Sequence, residues 1–239
     1  MREKLSVIVP CYNESASLAR IVQRFSESSP EKNGFELVMV DNGSTDDSAK
    51  KLKLLASKNK FVRIATVKKN QGYGFGIMAG LNAAKGEFLC WTHADMQTDP
   101  LDAVEAYRIA RGCASPQETL VKGARKGRAL FDAFFTFGMS CFALLVLGKW
   151  MPDINAQPNL FHRSFLARMR KGAPDDFSFD MYVFFLAKKC GMEVKRFPVD
   201  FSPREHGKSH WNIGIAGKWK FIKRTAEFTL EMRKRMREI

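Results

Sequence analysis

The sequence has few features of a secreted protein, of a protein folded around structural metal ions, or of a nucleic-acid-binding protein. Its 239 residues contain five cysteines, which are scattered, odd in number and not spaced as metal ligands. Such cysteines are most simply reduced thiols in a cytosolic compartment. No helix-turn-helix pattern, zinc-finger spacing or aromatic RNA-binding motif is recognisable, so we expect no nucleic-acid partner.

Long apolar segments are also scarce. The N-terminal residues run directly into a strand-like segment without the roughly 7–15 apolar residues of a signal peptide, so we expect no export. Residues 131–147 are apolar, but this stretch is at the short limit for a membrane span and contains Asp132. We interpret it as a buried or interfacial helix.

Acidic residues are outnumbered by basic ones. Aspartate and glutamate total 25 against 39 lysines and arginines, which gives a net charge of +14. A field of this sign attracts phosphates on nucleic acids, nucleotides or anionic lipids. Residues 218–239 hold eight basic and three acidic residues around Trp219, Phe221 and Phe228. This composition predicts either a helix on an anionic membrane surface or a solvated terminal helix.

The first part of the chain alternates between strand and helix patterns. Leu5–Val9 and Phe35–Val40 are short apolar runs that predict buried parallel strands. Residues 18–25 and 49–56 carry apolar side chains at helical spacing after each of them. This order predicts an α/β fold with a mostly parallel sheet and right-handed connections.

Two further strands extend this pattern and bring polar residues to one edge. Val62–Val67 predicts a third strand, residues 77–84 a helix, and Glu87–Trp91 a fourth strand. In open α/β sheets, ligands bind outside the carboxyl ends of the strands. We therefore expect a group of polar side chains to meet at this edge: Tyr12, Glu14, Asp41 and Asp95.

Carboxylates at such an edge suit a nucleotide. Glu14 and Asp41 can accept hydrogen bonds from ribose hydroxyls or base N–H groups. Asp95 can ligate Mg²⁺ or Mn²⁺, hard cations that bridge carboxylates to phosphates. The segment that follows Asp41, Asn-Gly-Ser, is by itself only typical of a turn before a helix.

Several motifs, in this order and at these intervals, resemble glycosyltransferase family 2 and its polyprenyl-phosphate (dolichyl-phosphate) branch. They are Ser6-Val-Ile-Val-Pro-Cys-Tyr-Asn-Glu, Val38-Met-Val-Asp-Asn-Gly-Ser-Thr-Asp, and Asn70-Gln-Gly-Tyr-Gly followed by Ala79-Gly-Leu-Asn-Ala-Ala-Lys-Gly-Glu-Phe. The resemblance covers most of the chain. It implies a GT-A fold with helices on both faces of the sheet, and inversion at the anomeric carbon. It also implies nucleotide contacts from Pro10, Tyr12, Glu14, Asp41 and Asp95.

One motif departs from the family pattern. The family's metal motif commonly reads Asp-Ala-Asp-Leu-Gln, whereas this chain has His93-Ala-Asp95-Met-Gln97. By resemblance, Asp95 binds the metal and the diphosphate, and Gln97 accompanies it. Imidazole ligates Mn²⁺ acceptably and Mg²⁺ poorly, so His93 either tilts the preference toward Mn²⁺ or leaves the metal with fewer protein ligands.

The second part of the chain resembles the acceptor side of the family. The matching segments are Lys122-Gly-Ala-Arg125-Lys-Gly-Arg128, Asp153-Ile-Asn-Ala-Gln-Pro-Asn-Leu-Phe-His-Arg163, Ser178-Phe-Asp180 and Arg204-Glu-His-Gly-Lys-Ser209. The resemblance implies phosphate binding by Arg125, Arg128, Arg204, Lys208 and Ser209, although such basic residues can also be a solvated surface. Asp180 stands where the family carries an acid near the acceptor.

The resemblance implies a catalytic domain over residues 1–215, with a nucleotide-sugar half at 1–112 and an acceptor half at 113–215. Residues 216–239 are expected to form the basic amphipathic helix. The leading hypothesis is an inverting hexosyltransferase, with Asp95 and Asp180 as catalytic residues. It moves a sugar from a UDP or GDP donor to polyprenyl phosphate, peripherally at the cytosolic face of an anionic membrane.

Two alternatives differ in the acceptor or in the class of protein. A saccharide or lipid-linked glycan hydroxyl must lose a proton as it attacks, and Asp180 would then be the general base, whereas a phosphate needs none. A non-catalytic nucleotide-sugar binder or a basic nucleic-acid binder remains the third reading.

Overall fold

The computed structural model describes residues 3–127, 130–202 and 214–237. Its core is one sheet of seven strands in the order β3-β2-β1-β4-β6-β5-β7. The strands are β1 Leu5–Cys11, β2 Phe35–Asn42, β3 Val62–Val67, β4 Phe88–Trp91, β5 Thr119–Lys126, β6 Asn159–His162 and β7 Glu193–Asp200.

The sheet is mostly parallel, as predicted. β6 runs antiparallel to both of its neighbours, β4 and β5, and every other neighbouring pair is parallel. The carboxyl ends of β1, β2, β4 and β5 therefore lie at the same edge of the sheet. β1 and β2 each extend two residues beyond their predicted ends, with Cys11 paired to Asp41.

Helices cover both faces of the sheet. They are α1 Leu18–Ser26, α2 Pro30–Asn33, α3 Ser48–Lys58, α4 Tyr73–Ala83, α5 Asp102–Arg111, α6 Leu130–Leu147, α7 Leu166–Met169, α8 Phe179–Lys189 and α9 Gly214–Arg237. Short 3₁₀ turns lie at Pro116–Glu118 and Arg163–Phe165.

Successive residues of the central strands point into two separate hydrophobic layers. On β1, Ile8 packs into the layer that also holds α4 and α8, whereas Val7 and Val9 pack into the layer that holds α1 and α5. The strands are buried on both faces, which explains their continuous apolar runs. This arrangement confirms the predicted α/β class.

The apolar stretch at residues 131–147 lies within α6, which packs against α9. Large apolar side chains on α6 face solvent, including Phe134 (73% exposed) and Leu145 (80% exposed). α9 covers most of the residues for which a basic helix is predicted. None of the helices in the described ranges is long and apolar enough to cross a membrane.

Candidate active site

A cavity of about 420 Å³ opens at the carboxyl edge of the sheet. Eight of the predicted site residues line it, from both halves of the chain. They are Pro10, Tyr12, Glu14, His93, Asp95, Gln97, Arg125 and Asp180. The sheet brings them together because β1, β4 and β5 all end at this edge, and α8 begins there.

The loop after β4 is held in a defined shape around Asp95. Oδ1 of Asp95 accepts a hydrogen bond from the backbone N–H of Gln97 at 3.2 Å. Met96 has a positive φ of 57°. Ser17 ties the loop to α1 by donating to the carbonyl oxygen of Ala94 at 2.6 Å. The side-chain Nε2 of Gln97 donates to the carbonyl oxygen of Ser202 at 3.2 Å. This bond identifies Oε1 as the atom of the Gln97 side chain that could ligate a cation.

The loops after β1 and β2 are bound to each other next to the cavity. Asn13 accepts a hydrogen bond from the backbone N–H of Thr45 at 2.8 Å, and its own backbone N–H donates to Ser44 Oγ at 3.2 Å. Asp41 is buried, accepts from the backbone N–H of Ser44 at 3.0 Å, and is not among the described residues that line the cavity. Here Asp41 shapes the turn.

Asn42, the residue after Asp41, does line the cavity. Its Nδ2 donates to the carbonyl oxygen of Gly72 at 2.9 Å. Its Oδ1 is buried and has no hydrogen-bond partner among the described residues. A buried acceptor left in this state is costly. Asn42 lies in the motif that includes β2, but the sequence alone could not show whether it lines the cavity or only forms part of the turn.

Asp180 lies at the N-terminal turn of α8 and is 2% exposed. Its Oδ1 accepts hydrogen bonds from Trp91 Nε1 at 3.0 Å, Gln157 Nε2 at 3.0 Å and Asn159 Nδ2 at 3.3 Å. Burial raises the pKa of Asp180, while Lys122, His93 and the N–H donors of Trp91 and Gln157 act in the opposite direction. The result is a dehydrated carboxylate with a fixed orientation.

Arg125 is 15% exposed and is held by the buried carboxylate of Asp153. The guanidinium Nε donates to Asp153 Oδ1 at 2.9 Å, a second guanidinium nitrogen donates to the same oxygen, and the backbone N–H of Arg125 donates to Oδ2 at 3.0 Å. The guanidinium carbon also lies 5.1 Å from the centre of the Phe201 ring. Arg125 is therefore a fixed cation at the cavity wall and not a solvated surface residue.

Aromatic rings form another wall of the cavity. Tyr73 stacks on Phe177 with 4.6 Å between ring centres and parallel planes, and on His93 at 5.8 Å with 26° between planes. The hydroxyl oxygen of Tyr73 accepts a hydrogen bond from Gln157 at 2.9 Å. Burial raises the pKa of Tyr73, so it stays neutral. Sequence reasoning missed Tyr73 and Gln157, although both lie inside motifs quoted above.

Four predicted phosphate-binding residues cannot be placed. Arg128, Arg204, Lys208 and Ser209 lie outside the described residues. The acceptor side is thus represented here by Arg125 and Asp180.

The donor set around Asp95 suits a hard cation that is completed by its substrate. In the described part of the chain, no three His, Cys, Asp or Glu side chains are grouped to hold a metal ion by themselves. Magnesium and manganese are commonly bound by one or two carboxylates together with substrate phosphates and water. Asp95, the Oε1 of Gln97 and the neighbouring His93 fit such a site.

The seven-stranded sheet and the polar cavity at its carboxyl edge define the chain as a protein of the GT-A fold class. Residues 6–107 match the family model described as glycosyl transferase family 2.

One relative is similar to this chain over most of its length. An undecaprenyl-phosphate 4-deoxy-4-formamido-L-arabinose transferase from Pseudomonas savastanoi is 36% identical over 213 residues. That match covers 87% of this chain but only 60% of the relative, so the chain spans less than two thirds of the relative's length.

Two solved structures have the same fold. One is glucosyl-3-phosphoglycerate synthase from Mycobacterium tuberculosis in complex with Mn²⁺, UDP and glucosyl-3-phosphoglycerate, with a TM-score of 0.69, 18% identity and coverage of 97% of this chain and 80% of that one. The other is a mannosyltransferase from Pyrobaculum calidifontis with GDP-Man and Mn²⁺, with a TM-score of 0.67, 17% identity and coverage of 98% and 74%.

Proposed function

We propose that this protein is an inverting glycosyltransferase that moves a sugar from a nucleoside-diphosphate sugar to a polyprenyl phosphate. The observation that carries the proposal is the cavity in which Asp95 and Arg125 line the same space. A carboxylate suited to a metal-bound diphosphate and a fixed cation suited to an acceptor phosphate are what this transfer needs. The name of the relative from Pseudomonas savastanoi supports the lipid-phosphate acceptor.

The donor half uses the loops after β1, β2 and β4. Pro10, Tyr12 and Glu14 bind the nucleoside, and Asp41 supports them by holding the turn after β2. A divalent cation, with Mn²⁺ slightly favoured over Mg²⁺, would be held by Asp95 with Gln97 or His93. Such an ion would neutralise the charge that develops on the leaving diphosphate.

The acceptor half binds the second anion. An oxygen of the acceptor phosphate forms the new bond to the anomeric carbon, and the bond from that carbon to the diphosphate breaks, with its electron pair leaving on the nucleoside diphosphate. No proton must be removed, so positioning and charge compensation supply the catalysis. Arg125, oriented by Asp153, supplies a rigid cation on the described wall, and Arg128, Arg204, Lys208 and Ser209 are proposed to complete it.

The proposed acceptor also requires contact with a membrane. Phe134, Phe137 and Leu145 on α6 are 58% to 80% exposed, and Leu230 on the neighbouring α9 is 48% exposed. Exposed apolar groups this large are typical of an interaction surface. Basic side chains near the end of α9 would add attraction to anionic lipids. We therefore propose peripheral binding at the cytosolic face of an anionic membrane.

One observation favours a second candidate acceptor. Asp180 is a buried carboxylate at the cavity with a raised pKa, which is the state of a competent general base. A saccharide hydroxyl could transfer its proton to Asp180 during attack. With a hydroxyl acceptor, Asp180→Asn is expected to reduce kcat by several orders of magnitude, and with a phosphate acceptor to cause a smaller loss.

The decisive experiment incubates the purified protein with a panel of UDP- and GDP-sugars, Mn²⁺ or Mg²⁺, and a short-chain polyprenyl phosphate. Transfer is expected with one donor, and Asp95→Asn is expected to abolish it. The matched control is Asp99→Asn, which removes a carboxylate from the same segment that pairs with Arg24 instead. Normal turnover by the Asp95 variant, or no transfer with any donor, would refute the proposal.

A further inference from the structure

A lysine behind the cavity has no role in the reaction described above. Lys122 on β5 is fully buried and is not among the described residues that line the cavity. Its Nζ donates to the carbonyl oxygen of Ala156 at 2.6 Å and to Asn159 Oδ1 at 2.7 Å. Burial lowers the pKa of Lys122 to about 7, while Asp180 and Asp153 act in the opposite direction. Burying an amino group is costly unless the group has polar partners.

The partners of Lys122 form a directed chain of hydrogen bonds. Because Nζ donates, Asn159 must turn its Oδ1 toward it, and Asn159 Nδ2 then faces Gln157 Oε1 at 2.9 Å and Asp180 Oδ1 at 3.3 Å. With Oε1 committed as an acceptor, Gln157 directs its Nε2 at Asp180 Oδ1 at 3.0 Å and at the Tyr73 hydroxyl at 2.9 Å. Asn159 Nδ2 also donates to the Ala156 carbonyl oxygen at 3.2 Å, so the lysine and this carbonyl group together favour one orientation of the Asn159 amide and, through it, of the Gln157 amide.

We propose that Lys122 is a positioning residue, which acts through Asn159 and Gln157 to hold the Asp180 carboxylate in one orientation at the cavity. The inference rests on the proposed function, in which Asp180 takes the acceptor-side position. An apolar side chain of similar length would fill the space of Lys122 but leave Asn159 Oδ1, a buried acceptor, without its lysine donor, which weakens the preference of the Asn159 amide for this orientation. An inverted Asn159 amide would present an oxygen to the Asp180 carboxylate and push it away.

The first test needs no substrate. The indole N–H of Trp91 donates to the same Asp180 oxygen at 3.0 Å, and the chain has four tryptophans, so its NMR signal can be assigned and followed. Lys122→Met is expected to shift the Trp91 indole signal, as Asp180→Asn does. The matched control is Lys195→Met, on the neighbouring strand β7, whose exposed amine pairs with Glu193. An unmoved Trp91 signal in the folded Lys122 variant would overturn the proposal.

The second test is kinetic. Lys122→Met is expected to lower kcat by up to about 10²-fold, and by no more than Asp180→Asn does, with an unchanged KM for the nucleotide sugar. Combined with Asp180→Asn, it is expected to add no further loss, because both act at one carboxylate. Losses that multiply would overturn the positioning role.

Two outcomes are kept distinct by this design. If the unmodified protein transfers no sugar, the proposed function fails, but the Trp91 signal still decides the role of Lys122. If Lys122→Met does not fold, Lys122→Gln retains an N–H donor without the charge. It is expected to leave the Trp91 signal close to that of the unmodified protein, and a shift as large as that of Asp180→Asn would contradict the proposal.

Discussion

His93 has a packing role that its place in the metal motif did not suggest. Its ring stacks on Tyr73, which in turn stacks on Phe177, so the imidazole is part of an aromatic column beside the cavity. A side chain used in this way gives Asp95 less help with a cation than a second carboxylate would. In the proposed metal site, the loop would offer one anionic ligand, and the nucleotide phosphates would supply much of the rest.

A carboxylate in place of His93 should change the metal preference. His93→Asp is expected to tighten binding of Mg²⁺ in the presence of UDP or GDP by about ten-fold, or ~1.4 kcal/mol. The gain for Mn²⁺ should be smaller, because imidazole already ligates Mn²⁺ acceptably. Calorimetric titration of both metals checks this. The control His93→Asn loses the same ring without gaining a charge, and equal metal binding by the two variants would contradict the prediction.

The strands show which features the sequence could and could not predict. β3 has the predicted bounds, Val62–Val67, and pairs with β2 over all six residues. β1 was expected to end before Pro10, yet it continues to Cys11. Its pairing with β4 stops at Ile8, and beyond that residue only β2 pairs with it. A proline without an N–H is tolerated there because β1 is locally an edge strand, which depends on strand order and not on local sequence.

The start of α4 lies unusually close to the segment before α8. A Cβ added at Gly74 would lie 2.2 Å from the carbonyl oxygen of Pro174 and 3.0 Å from Cβ of Phe179. The same segment carries Phe177 and leads to Asp180, so this close approach sets the width of the cavity. Glycine at this position is therefore a packing requirement as well as part of a motif.

Gly74→Ala should separate these two elements. Overpacking of this kind costs about 1–3 kcal/mol, and each kcal/mol lowers Tm by roughly 2–4 °C in a chain of this size. Nucleotide binding should weaken as well, because the cavity wall moves. The matched control is Gly138→Ala on α6, where an added Cβ meets nothing within 4 Å and helix propensity favours alanine. Thermal denaturation and nucleotide titration test both variants, and equal Tm values would contradict the argument.

Across the whole molecule, the sequence predicted which residues meet at the carboxyl edge of the sheet better than it predicted the hydrogen bonds that orient them. Carboxyl ends of parallel strands share an edge by geometry, so the meeting of Tyr12, Glu14 and Asp95 followed from the predicted strands alone. The bond between Trp91 and Asp180 joins residues 89 positions apart. Such a contact requires the start of α8 to pack against the end of β4, as the contact between Trp91 and Phe179 shows, and no periodicity in residues 113–200 predicts that.

If the acceptor is a polyprenyl phosphate, we expect the exposed apolar face of α6 to contact the lipid surface. The double variant Phe137→Ser with Leu145→Ser is expected to reduce binding to vesicles of phosphatidylcholine and phosphatidylglycerol, because it removes two exposed apolar side chains. Binding by the unmodified protein should fall with added salt, since exposed basic groups contribute. Vesicle sedimentation measures both effects. Leu54→Ser removes a 55% exposed leucine from α3 and should leave binding unchanged. If all three proteins bind alike, α6 does not contact the membrane, and the polyprenyl chain must approach the cavity from another side.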